Sequence, residues 1–156
     1  MPHSLIPRNG ALTKAFSIVP YLTVEEVKQM SDAMTGRQQS RDRLLIKLLF
    51  ATGLRISEAL SLTTQMIGTH EGKAVLFVKG KGNKPRLVAC PDSFAYQLKS
   101  YAFDKGQQQG DKIFGIDRRR AWQIITKAGK DVGINKRIYP PPSPPLRRNR
   151  AATTNR

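Results

Sequence analysis

The chain has 156 residues, and its 27 Lys and Arg residues against 11 Asp and Glu residues give it a formal net charge of +16 at pH 7. This length suits one domain with a hydrophobic core, while no apolar run approaches the roughly 18–20 residues of a membrane span and no signal-peptide-like segment is expected at the N-terminus. The one cysteine, Cys90, allows no internal disulfide, which fits a reducing compartment. The charge favours an anionic partner, with nucleic acid preferred to a membrane surface.

The first predicted helix follows an N-terminal stretch, residues 1–21, which we interpret as an arm or linker remnant because it lacks a periodic apolar pattern. Thr23 and Glu26 have the spacing of a capping box, in which each side chain accepts a hydrogen bond from a free backbone amide. A helix is therefore predicted from Thr23 to Gly36. Its expected apolar face consists of Val24, Val27, Met30 and Met34.

Two further helices are predicted to meet at a glycine. Residues 41–52 carry apolar side chains at i, i+4 spacing, and Gly53 is expected to end that helix. A short third helix is predicted to follow, with Thr52 or Ser57 as its N-cap. Arg55 then lies at the corner between the two helices.

The second half of the chain is predicted to contain a β-hairpin followed by two helices. Two short β-rich runs, 74–78 and 87–90, flank the basic, glycine-rich sequence KGKGNKPR of residues 79–86, which is typical of a hairpin turn. Helices are predicted over 92–104 and about 117–130. The apolar residues expected in the core from these helices are Leu98, Tyr101, Ala102, Trp122, Ile125 and Ala128. This order of elements predicts a mostly helical α+β fold with a small antiparallel sheet.

Two motifs taken together resemble the catalytic domain of the tyrosine recombinases, the phage integrase family. The first is ATGLRISEAL, residues 51–60, and the second is KGKGNKPR; the resemblance extends over about residues 22–139, and the order of elements agrees. It implies a protein that binds double-stranded DNA and acts in DNA integration and recombination. Strand breakage and rejoining would proceed through a 3′-phosphotyrosine, without a metal or nucleotide cofactor. A cytoplasmic, nucleoid-associated location would follow.

The resemblance also implies roles for individual residues. Arg55 matches the family's first catalytic arginine, whose guanidinium binds two phosphate oxygens as a fork. Lys81 matches the hairpin lysine, which is expected to protonate the leaving 5′-oxygen. Glu58, one helical turn after Arg55, is expected to orient it. The other basic candidates, which either contact DNA phosphates or face solvent, are Lys79, Lys84, Arg86, Arg118, Arg119 and Arg120.

The C-terminal part of the sequence departs from the family pattern. The family's second box, His-x-x-Arg, is expected directly after Tyr139-Pro140, but residues 140–156 are rich in proline and arginine instead. Tyr139 precedes the position of the box and is not assigned as the nucleophile. Residues 22–139 are therefore interpreted as a partial catalytic domain, followed by an extended or disordered tail. Intact family members assemble as tetramers on DNA, whereas this chain, as it stands, is expected to be monomeric and not to cleave DNA alone.

A reading-frame shift is one hypothesis for this departure. For one choice of codons, removing a single nucleotide near the start of residues 140–150 restores a His-x-x-Arg box in the right place. Sequencing the gene tests this hypothesis, since an adjacent frame without the box and a downstream tyrosine would exclude it. Three alternatives remain open: an inactive DNA-binding fragment, a pseudogene product, and an RNA- or ribosome-associated protein.

Overall fold

The computed structural model describes residues 22–136 and residue 138. The predicted arm (1–21), the tail (140–156) and Tyr139 lie outside the described residues. The helices and strands of the described part are α1 (Val24–Asp32), α2 (Gln39–Thr52), α3 (Ile56–Leu60), β1 (Ile67–His70), β2 (Lys73–Lys79), β3 (Pro85–Ala89), α4 (Asp92–Asp104) and α5 (Arg118–Asp131). The predicted α+β class, mostly helical with a small antiparallel sheet, is confirmed.

Helix α1 begins with the capping box that the sequence predicts. The Glu26 amide donates to the Thr23 hydroxyl oxygen at 3.2 Å, and the Thr23 amide donates to the Glu26 carboxylate at 2.7 Å. The helix ends at Asp32, earlier than predicted. The prediction for Val24 is wrong, since this side chain is 88% exposed. The prediction for Met30 is confirmed, since Met30 is fully buried; Ser31 is buried beside it, and α1 packs on α2 and α5.

The corner between α2 and α3 depends on a left-handed glycine. Gly53 has φ +65° and ends α2, as predicted, because a residue without Cβ adopts this conformation at little cost. The predicted N-cap of α3 is wrong: Arg55 occupies that position. The Thr52 hydroxyl donates instead to the Leu48 carbonyl of its own helix at 2.6 Å, and Ser57 lies inside the first turn of α3.

The sheet has three antiparallel strands in the order β1-β2-β3. The predicted hairpin is formed by β2 and β3, with Phe77 opposite Leu87. Strand β1 is not predicted from the sequence, since Ile67 is its one buried residue and the alternating pattern is too short to recognise. The ring of Phe77 lies across β1, where a Cβ on Gly68 would approach it to 2.5 Å. A glycine in β1 therefore leaves space for an aromatic ring on the outer face.

The core lies between the inner face of the sheet and the helices. Leu76 and Val78 of β2 are buried there, and α4 packs on β2 while α5 contacts α1 and α3. The prediction that Trp122 lies in the core is wrong, since its side chain is 39% exposed. Cys90 is buried, as predicted, and burial raises the pKa of its thiol. No helix within residues 22–136 is long and apolar enough to cross a bilayer.

Candidate functional site

The corner before α3 and the tip of the β2–β3 hairpin face the same cleft. This cleft has a volume of about 390 Å³. Its lining residues are Gly53, Arg55, Gly80, Lys81, Lys84, Pro85 and Arg86. Arg55 and Lys81, which lie 26 positions apart in the sequence, thus meet at one cleft, and they bring a guanidinium and an ammonium group to one surface. We refer to this feature as the Arg55–Lys81 cleft.

The hairpin tip is a tight 3₁₀ turn over Lys81–Asn83. Gly82 and Asn83 both have left-handed backbone conformations, with φ values of +73° and +61°. The Gly80 amide donates to the Lys84 carbonyl at 2.8 Å, and the Asn83 amide donates to the Gly80 carbonyl at 3.1 Å. These bonds close the turn and leave the Lys81 side chain exposed at its edge.

A buried carboxylate lies beneath the cleft. Glu58 in α3 is only 5% exposed, and its Oε2 accepts hydrogen bonds from the Arg55 backbone amide and from Arg86 Nη2, both at 2.9 Å. Its Oε1 has no hydrogen-bond partner among the described residues and lies 3.8 Å from Arg55 Nη1. A buried carboxylate is tolerated when cations and amides compensate for its lost hydration. Glu58 therefore holds the arginine-bearing corner and strand β3 together.

Comparison with known proteins identifies the family. The model of the phage integrase family matches residues 20–154. The chain belongs to the phage integrase family. The matched range continues past residue 139, where the resemblance was expected to end.

Curated relatives of this integrase-family chain are tyrosine recombinases. The chain is 36% identical to XerD of Haemophilus ducreyi over 111 residues. This alignment covers 66% of the chain and 36% of the relative. The chain is 32% identical to XerA of Pyrococcus furiosus over 123 residues. That alignment covers 72% of the chain and 42% of the relative. The chain thus spans less than half the length of these relatives.

Solved recombinase structures share the fold. The XerH site-specific recombinase bound to its difH substrate, in a pre-cleavage complex, aligns with a TM-score of 0.62 at 23% identity, over 76% of this chain and 38% of that one. The XerA recombinase aligns with a TM-score of 0.56 at 25% identity, over 77% of this chain and 46% of that one. Both comparisons support the α+β fold of the described residues.

The remaining basic candidates of this integrase-family chain fall into separate groups. Lys84 lines the Arg55–Lys81 cleft, whereas Lys79 lines a neighbouring apolar groove beside Phe77 and Leu87. The three consecutive arginines at the start of α5 are not among the residues that line the cleft. Those residues are Arg118, Arg119 and Arg120. Arg120 instead contributes to another cleft, which α5 forms with Asp42 of α2 and with the segment that follows α1.

The ion pair between Glu58 and Arg86 is the main feature of the site that sequence reasoning missed. A signal was present, because Glu58 is followed directly by the apolar pair Ala59-Leu60 in a short helix, and a buried carboxylate needs a cationic partner. Which of the basic residues would supply that partner depends on the packing of the hairpin. Among residues 22–136 and 138, no group of three or more His, Cys, Asp or Glu side chains is arranged to hold a metal ion.

Proposed function

We propose that residues 22–139 form part of the catalytic domain of a site-specific tyrosine recombinase, which binds duplex DNA with a backbone phosphate in the Arg55–Lys81 cleft. The convergence of Arg55 and Lys81 on one cleft is the observation that carries this proposal. The names of the relatives and the DNA substrate of the XerH complex support it. A nucleoid-associated location in the cytoplasm belongs to the same proposal, as does a monomeric state for this chain, in contrast to the tetramers that intact family members form on DNA.

The two cations have different chemical tasks in the proposed reaction. The guanidinium of Arg55 binds the non-bridging oxygens of the phosphate, where negative charge increases in the transition state. Lys81 donates a proton to the 5′-oxygen as its bond to phosphorus breaks. In the reaction of the family, a tyrosine hydroxyl loses its proton as its oxygen bonds to phosphorus and the 5′-oxygen leaves, so the phosphodiester is exchanged for a phosphotyrosine without an energy-supplying cofactor. No tyrosine of this chain is assigned to that role.

The second catalytic box of the family, His-x-x-Arg, is not found in the 156 residues. The two histidines, His3 and His70, are not followed by an arginine at the third position, so the sequence contains no His-x-x-Arg box. Without that box and a nucleophile, the chain supplies the phosphate-binding half of the chemistry. We therefore expect this polypeptide to bind DNA without forming a covalent adduct.

Binding to duplex DNA and to duplex RNA of the same sequence, measured at several salt concentrations, tests the proposal. We expect tighter binding to DNA, and a logarithm of the binding constant that falls linearly with the logarithm of the salt concentration as counterions are released. Preference for RNA would contradict the proposal and favour the RNA-associated alternative.

The same samples can be denatured to detect protein bound covalently to labelled DNA. We expect no adduct, whereas a phosphotyrosine adduct would show that the chain contains a nucleophile after all. XerA of Pyrococcus furiosus, a tyrosine recombinase relative, is a suitable comparison protein for this assay.

A further inference from the structure

We propose that Arg86 is a positioning residue, which holds the β2–β3 hairpin on α3 through Glu58 and so sets the distance between Lys81 and Arg55. This inference rests on the proposed function, since it concerns how the two cations of the phosphate site are brought together. The sequence assigns Arg86 only to phosphate contact or to solvent. Its hydrogen bond to the buried Glu58 carboxylate indicates a structural role in positioning the hairpin.

The first supporting observation is that one oxygen atom joins both parts of the site. Glu58 Oε2 accepts from the Arg55 backbone amide and from Arg86 Nη2, each at 2.9 Å. The first bond ties Oε2 to the corner where α3 begins, and the second ties it to β3. Because Glu58 is 5% exposed and lies in a helix that packs in the core, the atom has little freedom to move.

The second observation concerns the other strand of the hairpin. A Cβ built on Gly80 would lie 3.7 Å from Glu58 Oε1 and 3.8 Å from Arg86 Nε, which is ordinary van der Waals distance. The backbone at the end of β2 therefore passes directly beside the Glu58–Arg86 pair. Lys81 is the next residue, so its position depends on how closely the hairpin approaches the carboxylate.

The third observation is the imbalance of charge around the cleft. Four basic residues line it, and they repel one another: Arg55, Lys81, Lys84 and Arg86. Glu58 is the acidic side chain in ion-pair contact with two of these cations. Hydrogen bonds to a charged acceptor are stronger than neutral ones, and low exposure of the acceptor reduces screening by solvent. The Glu58–Arg86 pair is thus suited to offset the repulsion that would otherwise move the hairpin away from α3.

Hydrogen exchange in the free protein tests this role without DNA. In Arg86→Gln, the amides of Gly80 and Asn83, which close the turn, are expected to exchange about three- to tenfold faster while the amides of α4 are unchanged. The matched control is Lys84→Gln, which removes a charge from the same turn. Lys84 has no side-chain hydrogen bond or ion pair with another described residue, and its removal lowers the repulsion in the cleft, so exchange at Gly80 and Asn83 is expected not to become faster.

Two further variants separate positioning from a general loss of structure. Arg86→Lys keeps the charge and one donor, so it is expected to restore most of the protection. In Glu58→Gln, exchange is expected to increase as in Arg86→Gln, and the double variant is expected to show no additional increase, because both changes remove the same interaction. Additive effects of the two substitutions would contradict the proposal.

Binding to duplex DNA tests the competing role, in which Arg86 contacts a DNA phosphate. If Arg86 were a phosphate ligand, Arg86→Gln would reduce the salt slope of binding by about 0.9 and leave exchange at the hairpin unchanged. That pair of results would overturn the inference. A chain that did not bind DNA would contradict the proposed function, while the exchange result would still decide whether Arg86 positions the hairpin.

Discussion

The double substitution of Arg55→Gln and Lys81→Gln is expected to weaken binding to duplex DNA on the order of 100-fold at moderate salt. Two charge-assisted contacts to phosphate would be lost, each worth roughly 1.5 kcal/mol or more. The slope of log binding constant against log salt concentration is expected to become shallower by about 1.8, because two fewer phosphates are neutralised. Fluorescence anisotropy of a labelled duplex across a salt series measures both quantities.

A matched control separates the cleft from the overall positive charge. The double variant Lys73→Gln/Lys99→Gln removes the same charge, from exposed side chains at the far end of β2 and on α4. Neither residue lines the Arg55–Lys81 cleft. Its effect on affinity is expected to be about threefold or less, as for a change in the long-range field alone. Equal losses in the two double variants would show that DNA does not use the cleft specifically.

The substitution Leu76→Ala is expected to lower the free energy of unfolding by about 3 kcal/mol. Leu76 is fully buried in the middle strand, where it lies opposite Ile67 on one side and Val88 on the other. Truncation removes apolar burial and leaves a cavity that the strands on both sides cannot readily fill. Urea denaturation followed by the fluorescence of the single tryptophan, Trp122, measures the change.

The matched control is the same substitution on the opposite face of the hairpin. Leu87 is 46% exposed, so Leu87→Ala is expected to cost about 1 kcal/mol or less. Comparable losses at both positions would mean that the outer face is covered as completely as the core face. Such a result would contradict the sheet arrangement on which the position of the hairpin depends.

Much of the local structure could be predicted because its hydrogen bonds join residues close in sequence. The Thr23–Glu26 capping box and the left-handed Gly53 are examples, since each is a property of a few consecutive residues. Errors occurred where burial depended on distant neighbours. Trp122 has the right spacing for a core residue, yet none of the described helices and strands covers it fully.

Strand β1 illustrates the same limit for the sheet. Its four residues show no clear alternation, and they become a strand because β2 offers a partner edge and Phe77 covers Gly68. Sequence patterns report which residues are able to form a strand, whereas pairing depends on the edge that the rest of the fold presents. The two longer strands were recognised because their turn has glycine and asparagine at the positions that need left-handed backbone.

The sequence by itself determined the family and the choice of Arg55 and Lys81 as candidate site residues, because both depend on residue identities and short spacings within two motifs. Only the tertiary structure decided that Arg55 and Lys81 share a cleft and that Arg86, rather than Arg55, donates its side-chain hydrogen bond to Glu58. The physical reason is that a buried carboxylate takes whichever cation the packing of strands and helices brings within reach. That choice depends on contacts between residues far apart in the chain.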